Sequence, residues 1–320
     1  MNRPREKNLF SRGFFCTKKH ALLPGRLIPH KRSVFLSMNG SVLWGVLLAA
    51  LLLWALWANK ALALHQIPLA SDHLPAAFAG LRIAHLSDLH TARFGRENRR
   101  LLDKLAQAQP DLIVLTGDLI DARRTNLDRA LAFAVRAAGL APTYYVPGNH
   151  EARLPAAQYQ RLRQGLTAVG VTVLEHERVT LTRGGDRLTL LGLADQALAR
   201  TQGDHRPAAQ LAAEALEALQ TAEDGYTILL VHRPESFPVY AALGADLVLS
   251  GHTHGGQVRL PGLGGLFAPS QGFFPRYDAG LYRQGQASLV ISRGLGNSLA
   301  PLRLNNRPEV VVLTLSPGPQ

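Results

Sequence analysis

Cys16 is the one cysteine in 320 residues, which excludes a disulfide framework, a thiolate zinc site and a CxxC redox pair. Charge is sparse as well: 18% of residues are charged against 47% apolar, the wrong balance for a disordered chain. Glycine (29) and proline (19) are too few and too scattered for a collagen-like or low-complexity sequence. No internal repeat is present. The length leaves room for one or two domains with a full hydrophobic core.

The net charge of +12 suggests a nucleic-acid partner until its distribution is read. Residues 1–37 hold nine Lys/Arg against the single acid Glu6, whereas the remaining 283 residues carry a net charge of only +4. The body has no Lys/Arg stripe with interleaved aromatics, so no nucleic-acid partner is expected. From Ser33 to Asn59 no residue is charged, and Ser41–Ala58 is almost wholly Leu, Ala, Val and Trp. Eighteen residues rise about 27 Å as a helix, close to the hydrocarbon thickness of a bilayer. Trp44, Trp54 and Trp57 suit its interfaces.

Residues 38–60 therefore read as a transmembrane anchor or uncleaved signal behind a basic tail, 1–37. Lys31-Arg32-Ser33-Val34-Phe35 is similar to a twin-arginine export signal, and Ala61-Leu62-Ala63 offers a small-residue cleavage site. The run is longer than a signal core of 7–15 residues. The basic flank places the N-terminus in the cytoplasm and the domain beyond Lys60 outside, an argument that loses most of its force if Met38 is the start.

Residues 61–80, broken by Pro68 and Pro75, are expected to be a linker. From 81 to 316 short apolar strands alternate with helical stretches, at first strictly, then with strands and turns dominating. Strands are expected at 81–86, 111–116, 143–146, 171–174, 188–193, 226–231, 247–249, 288–291 and 309–315. Helices are expected at 97–109, 127–138, 156–169, 207–220 and 235–243. The class is α/β with mixed sheets. Residues 255–285, rich in Gly and Pro, read as a long irregular surface loop.

The chemistry sits where the strands end: Asp88-Leu89-His90, Gly117-Asp118-Leu119-Ile120-Asp121, Gly148-Asn149-His150-Glu151, His232, and Gly251-His252-Thr253-His254. Open α/β sheets build their sites at these carboxyl ends. The i,i+2 spacing of Asp88/His90 and His252/His254 aims each pair one way if strand geometry persists. An oxygen and imidazole set without sulfur suits Mn, Fe or Zn. Singly, these residues have blander readings: Asp121 as a turn residue, Gly148-Asn149 as a turn, His232 as a packed histidine. His85 reads as a packed strand residue. Arg93, Arg96 and Arg99 are either a solvated face or a reach toward an anion, and Arg293 and Asn297 either line the site mouth or a turn.

Taken together, DxH, 26 residues, GDxxD, 26 residues, GNHE, a lone His and GHxH resemble the calcineurin-like metallophosphoesterases, over roughly 81–315. The context around the first and last blocks looks like the YkuE/YaeI-type phosphodiesterases. The resemblance implies an αββα sandwich, two mixed β-sheets flanked by helices, preceded here by one N-terminal transmembrane helix. It implies two divalent metal ions. Asp88, His90 and His254 would hold the first, Asp118 would bridge, and Asn149, His232 and His252 would complete the second. His150 would act as general acid, oriented by Asp121. The implied activity is hydrolysis of a phosphate ester, and a diester fits best. The membrane segment favours an envelope or lipid substrate. A UDP-2,3-diacylglucosamine pyrophosphatase of lipid A synthesis is the alternative enzyme, and a non-catalytic membrane-tethered metal-binding module the alternative of another class.

Overall fold

The computed structural model describes residues 40–195, 203–204, 206–221, 225–297 and 302–318. The basic tail, the export-like motif and Met38 lie outside the described residues. The first helix, α1 (Gly40–Ala58), buries only Ala55 and Ala58, while its Leu, Val and Trp side chains stand exposed. It is long and apolar enough to cross a membrane. From Val46 onward the chain forms one compact unit.

Two six-stranded sheets follow. The first contains β1 (Ala63–Ser71), β2 (Arg82–Leu86), β3 (Leu112–Thr116), β4 (Thr143–Val146), β5 (Val171–Val173) and β16 (Glu309–Pro317), in the order β1-β16-β2-β3-β4-β5. The second contains β6 (Glu177–Arg183), β7 (Asp186–Gly192), β8 (Tyr226–Leu230), β9 (Leu247–Ser250), β14 (Gly280–Gln284) and β15 (Ala287–Ile291), in the order β14-β15-β9-β8-β7-β6. Both are mixed: β2, β3, β4 and β5 run parallel, as do β7, β8, β9 and β15, while β16 opposes β2 and β6 opposes β7. Helices α2 (Arg99–Ala108), α3 (Leu127–Ala138) and α4 (Ala156–Ala168) cover the first sheet, and α5 (Ala208–Leu219) and α6 (Phe237–Ala242) the second.

Period-two alternation builds three buried layers. In β3, Leu112 and Val114 face the second sheet, while Ile113 and Leu115 face the helices. In β8, Ile228 and Leu230 point into the space between the sheets, and Leu229 toward α6. Strands buried on both faces read as continuous apolar runs, which is why their positions were legible. β6 and β14, with half-exposed polar faces, were not expected.

The linker expected at 61–80 is corrected by the structure. Ala63–Ser71 is β1, a parallel edge strand on β16 in register Ala63↔Glu309 to Ser71↔Pro317. Pro68 is compatible with it because an edge strand needs only one row of ladder donors. Leu69 is buried in the core between the sheets. His65 Nδ1 lies 2.6 Å from Glu309 Oε2, with Arg293 Nε at 3.3 Å on the same oxygen. Residues 255–285 are likewise more ordered than expected, holding β10 (Arg259–Leu260) paired with β11 (Gly264–Gly265) and β12 (Phe267–Ala268) paired with β13 (Gly272–Phe273).

Two measurements test β1. Leu69→Ala should lower unfolding stability by about 2–5 kcal/mol, and a loss under about 0.5 kcal/mol would return the segment to a linker. Burial alone would raise the Glu309 carboxyl, but His65 and Arg293 hold it below the usual carboxylate range. Its contribution is therefore full above the unfolded pKa and lost as pH falls through the depressed one. Glu309→Gln should lower the Tm at pH 7 and converge with the parent under acid; a deficit independent of pH would overturn this account.

Candidate metal centre

β2, β3, β4, β8 and β9 end on one edge, and each is followed at once by one of the expected blocks. The side chains converge, though not by strand alternation: Asp88, His90, Asp118, His252 and His254 all have positive φ, between 46° and 68°. The i,i+2 argument is thus corrected, since strand geometry does not persist past Leu86 or Ser250. Left-handed backbone at residues with a Cβ costs of order 1 kcal/mol each and clusters where function requires it. The glycines of the motifs allow this crowding. A Cβ on Gly251 would overlap Ser87 Oγ, and one on Gly148 would overlap the Asp118 carboxylate.

Each carboxylate is fixed by one oxygen and turns the other toward the histidines. Asp88 Oδ2 accepts from His252 N (3.0 Å), and Asp118 Oδ1 accepts from His150 N (2.8 Å). Asp118 Oδ2 lies 3.3 Å from His232 Nε2 and 3.6 Å from His90 Nε2. Asp88 Oδ1 lies 3.4 Å from His254 Nε2, which is 3.2 Å from His90 Nε2. His252 turns Nδ1 to within 3.2 Å of His232 Nε2. Two triads with ligand atoms within 4.8 Å of one another result, Asp88–His90–His254 and Asp118–His232–His252. A third, His90–Asp118–His150, lies between them.

The donor set fits cations. Asp88 Oδ1 and Asn149 Oδ1 are buried with no hydrogen-bond partner among the described residues, each a costly arrangement unless something else satisfies it. Burial lowers His90 to about 4, His254 to about 3 and His252 well below its usual value, keeping the rings neutral and their lone pairs available. His232 donates from Nδ1 to Thr116 O (2.7 Å), which directs Nε2 inward. Burial would lower His232, but Asp118 beside it raises it to about 10, and against its own burial Asp118 is held ionised by that ring.

His150 Nδ1 accepts from Ala122 N (3.1 Å) and lies 3.3 Å from Asp121 Oδ1. Nε2 faces the cluster, 4.0 Å from Asp118 Oδ2. All nine expected site residues therefore meet at one place. A cavity of about 160 Å³ opens onto it, lined by Asp118, Asn149, His150, His252 and three arginines, Arg123, Arg153 and Arg233.

A profile of the calcineurin-like phosphoesterase family matches residues 81–256. The chain belongs to the calcineurin-like phosphoesterases. It is 31% identical over 251 residues to the metallophosphoesterase YkuE of Bacillus subtilis (strain 168), covering 77% of this chain and 82% of that one. Phosphodiesterase YaeI of Escherichia coli (strain K12) is 33% identical over 246 residues, 74% of this chain and 83% of that one. A bovine transmembrane protein with a metallophosphoesterase domain is 29% identical over 270 residues, 80% of this chain and 58% of its own length. This phosphoesterase is thus a hydrolase of phosphoric esters whose fold and residues suit metal ions.

Several residues around the phosphoesterase centre escaped the sequence. The arginines that line the cavity are Arg123, Arg153 and Arg233 rather than Arg93, Arg96 or Arg99, of which Arg96 and Arg99 are largely solvated. The signal was present, an arginine one or two residues past a ligand block. Arg293 pairs with Glu309, and Asn297 with Asn59 and Arg303, instead of lining the mouth. Buried Arg303 donates to Asn297 Oδ1, Arg293 O and Gly296 O beneath His254, and burial lowers it to about 10. Glu151 is fully buried and accepts from Gly148 N (2.8 Å), Asp118 N (2.9 Å) and Ile120 N (3.2 Å). Burial and the nearby Asp118 raise it to about 7. One carboxyl thereby fixes the backbone of two ligand loops.

Glu151→Gln replaces an accepting oxygen with an NH2 facing those N–H groups. Affinity for Mn²⁺ or Zn²⁺ should fall about 10–100-fold with an unchanged circular dichroism spectrum. Undiminished affinity would show that the loops hold themselves.

Proposed function

We propose that this phosphoesterase is a membrane-tethered phosphodiesterase with a two-metal centre of Mn, Fe or Zn. The observation that carries it is Asp118 Oδ2, which faces histidines of both ligand triads at once. Asp88, His90 and His254 would hold one ion, Asn149, His232 and His252 the other, with Asp118 between them. Bound there, the pair would offset phosphoryl charge and make water nucleophilic near neutral pH.

The protein's own groups supply the rest. Arg123, Arg153 and Arg233 line the cavity with guanidinium groups suited to phosphoryl oxygens. Asp195 Oδ2 receives Arg233 Nε at 2.7 Å and holds that side chain over His252. As the P–O bond to the leaving group breaks, His150 gives its Nε2 proton to the departing oxygen. At Nδ1 the ring has a partner for each protonation state, the Asp121 carboxylate for the imidazolium and Ala122 N–H for the neutral ring.

Diester preference is supported by the similarity to phosphodiesterase YaeI, and the tether by α1 and by the similarity to the bovine transmembrane protein. In this reading the substrate is an envelope or membrane phosphodiester. Chelator-stripped protein, reloaded with Mn²⁺ or Zn²⁺, should hydrolyse bis-p-nitrophenyl phosphate well ahead of p-nitrophenyl phosphate. Monoester preference would make it a phosphatase. Asp118→Asn should abolish turnover and weaken metal binding. His150→Gln should lower kcat by about 10²–10⁴ with both metals retained; full activity in either variant would overturn the assigned roles.

A further inference from the structure

Outside α1, eight large apolar side chains are exposed among the described residues, and five of them fall within fifteen positions: Leu260, Leu263, Phe267, Phe273 and Phe274. Leu263 is 67% exposed, Phe273 70% and Phe274 59%. Isolated apolar residues on a surface are ordinary, but a contiguous group marks a contact surface. The backbone holds this one in place. Phe267 and Phe273 face each other across the β12–β13 hairpin with rings 5.3 Å apart, edge to face, while Ala268 beside them is buried. Leu266 N donates to Val258 O (2.7 Å) and Phe274 N to Leu266 O (2.9 Å). Ordered phenylalanines are thus displayed outward rather than tucked in.

Three further observations say what covers them. From Gly251 to Tyr277 the chain contains no acid; Arg259 is paired with Asp278 just beyond (2.9 Å), and Arg276 is the cation compatible with an anionic surface. The patch also adjoins the end of the membrane helix. Asn59, just past α1, accepts from Arg303 N (3.0 Å) and donates to Arg303 O (3.2 Å). The next residue, Leu304, accepts from Arg259 N (3.0 Å) and bridges Val258, so a single residue separates the helix exit from β10. Lys60, Arg100 and Arg307 ring that exit; Arg100 donates to Lys60 O, and Arg307 donates to Ala61 O with its guanidinium 5.3 Å from the Trp57 ring. At the other end, the hairpin tip meets the metal centre: Ser270 Oγ accepts from Arg233 (2.8 Å) and lies 3.4 Å from His252 Nε2.

We propose that Leu260–Phe274 lies in the lipid interface beside the exit of α1, turning the mouth of the metal centre to the bilayer so that the enzyme acts on phosphodiesters carried in the membrane. The contact surface rests on α1 as the anchor; the choice of substrate rests also on the function proposed above. Aromatic and aliphatic side chains flanked by arginine are the chemistry that partitions into the headgroup region.

The test uses the full chain in nanodiscs of phosphatidylcholine and phosphatidylglycerol. Nitroxides are placed at Leu263→Cys and at Phe273→Cys in a Cys16→Ser background. A control label goes at Thr167→Cys on α4, which packs against β5, the edge of the sheet opposite β1. The loop labels should relax with oxygen in preference to a water-soluble nickel chelate, and the control with the chelate. Loop labels that relax with the chelate overturn the proposal. So do loop labels shielded from both reagents, which would reveal a protein cover. Phe267→Ser/Phe273→Ser/Phe274→Ser should lower turnover of a bilayer-borne diacylglyceryl p-nitrophenyl phosphate at least tenfold and leave bis-p-nitrophenyl phosphate untouched; an equal fall on both substrates overturns it. Lipid-exposed labels on a protein inactive toward either substrate would sustain the contact surface while ending the enzymatic reading.

Discussion

Two carboxylates and five imidazoles are withdrawn from water within a few ångströms of one another, and most of the peculiarities of this chain follow from holding them there. Burial works against ionised carboxylates, and crowding works against protonated rings. The cluster answers with partial neutrality, since His90, His252 and His254 are held neutral while His232 and Asp118 share a favourable pairing. What it leaves unanswered is the pair of orphaned oxygens on Asp88 and Asn149. Cations would satisfy both at a stroke. The left-handed turns, the glycines that cannot bear a side chain and the three amides gathered by Glu151 all serve the same end, keeping ligand atoms where relaxation would otherwise separate them.

The ligand blocks were legible because each lies at the end of a strand buried on both faces, and such strands write themselves as unbroken apolar runs. The sequence alone thus places Asp88, Asp118, Asn149, His232 and His252 at the carboxyl ends of strands. How they converge could not be read, because the left-handed φ of Asp88 or His254 depends on crowding between loops far apart in sequence. Glu151 and Arg303 act through backbone groups of other segments, a role that leaves no spacing of its own. β1 was missed for a related reason. Only Leu69 on it is fully buried, and its partner β16 lies more than two hundred residues away. The two-residue strands of the 255–285 segment are too short for any period to show.

The hairpins between β9 and β14 connect these themes. Asp278, at their base, accepts from Gly265 N and Arg259, and its carbonyl takes the Thr253 hydroxyl from within the GHTH turn. The segment that displays phenylalanine outward is therefore braced against the turn that carries His252 and His254. Rigidity needed for the ligands on one side becomes rigidity of the exposed surface on the other.

Only four residues, Asn59 to Leu62, separate the last residue of α1 from the first of β1, and all are tied down. Asn59 spends its side-chain amide on Ala55, Arg303 and Asn297, and Leu62 is packed into the core beneath the first sheet. With α1 in a bilayer, so short and hydrogen-bonded a junction would keep the catalytic body close to the lipid surface. Were the substrate carried in the same membrane, as proposed above, their encounters would be a planar search, governed by lateral diffusion and molecules per unit area rather than by bulk concentration.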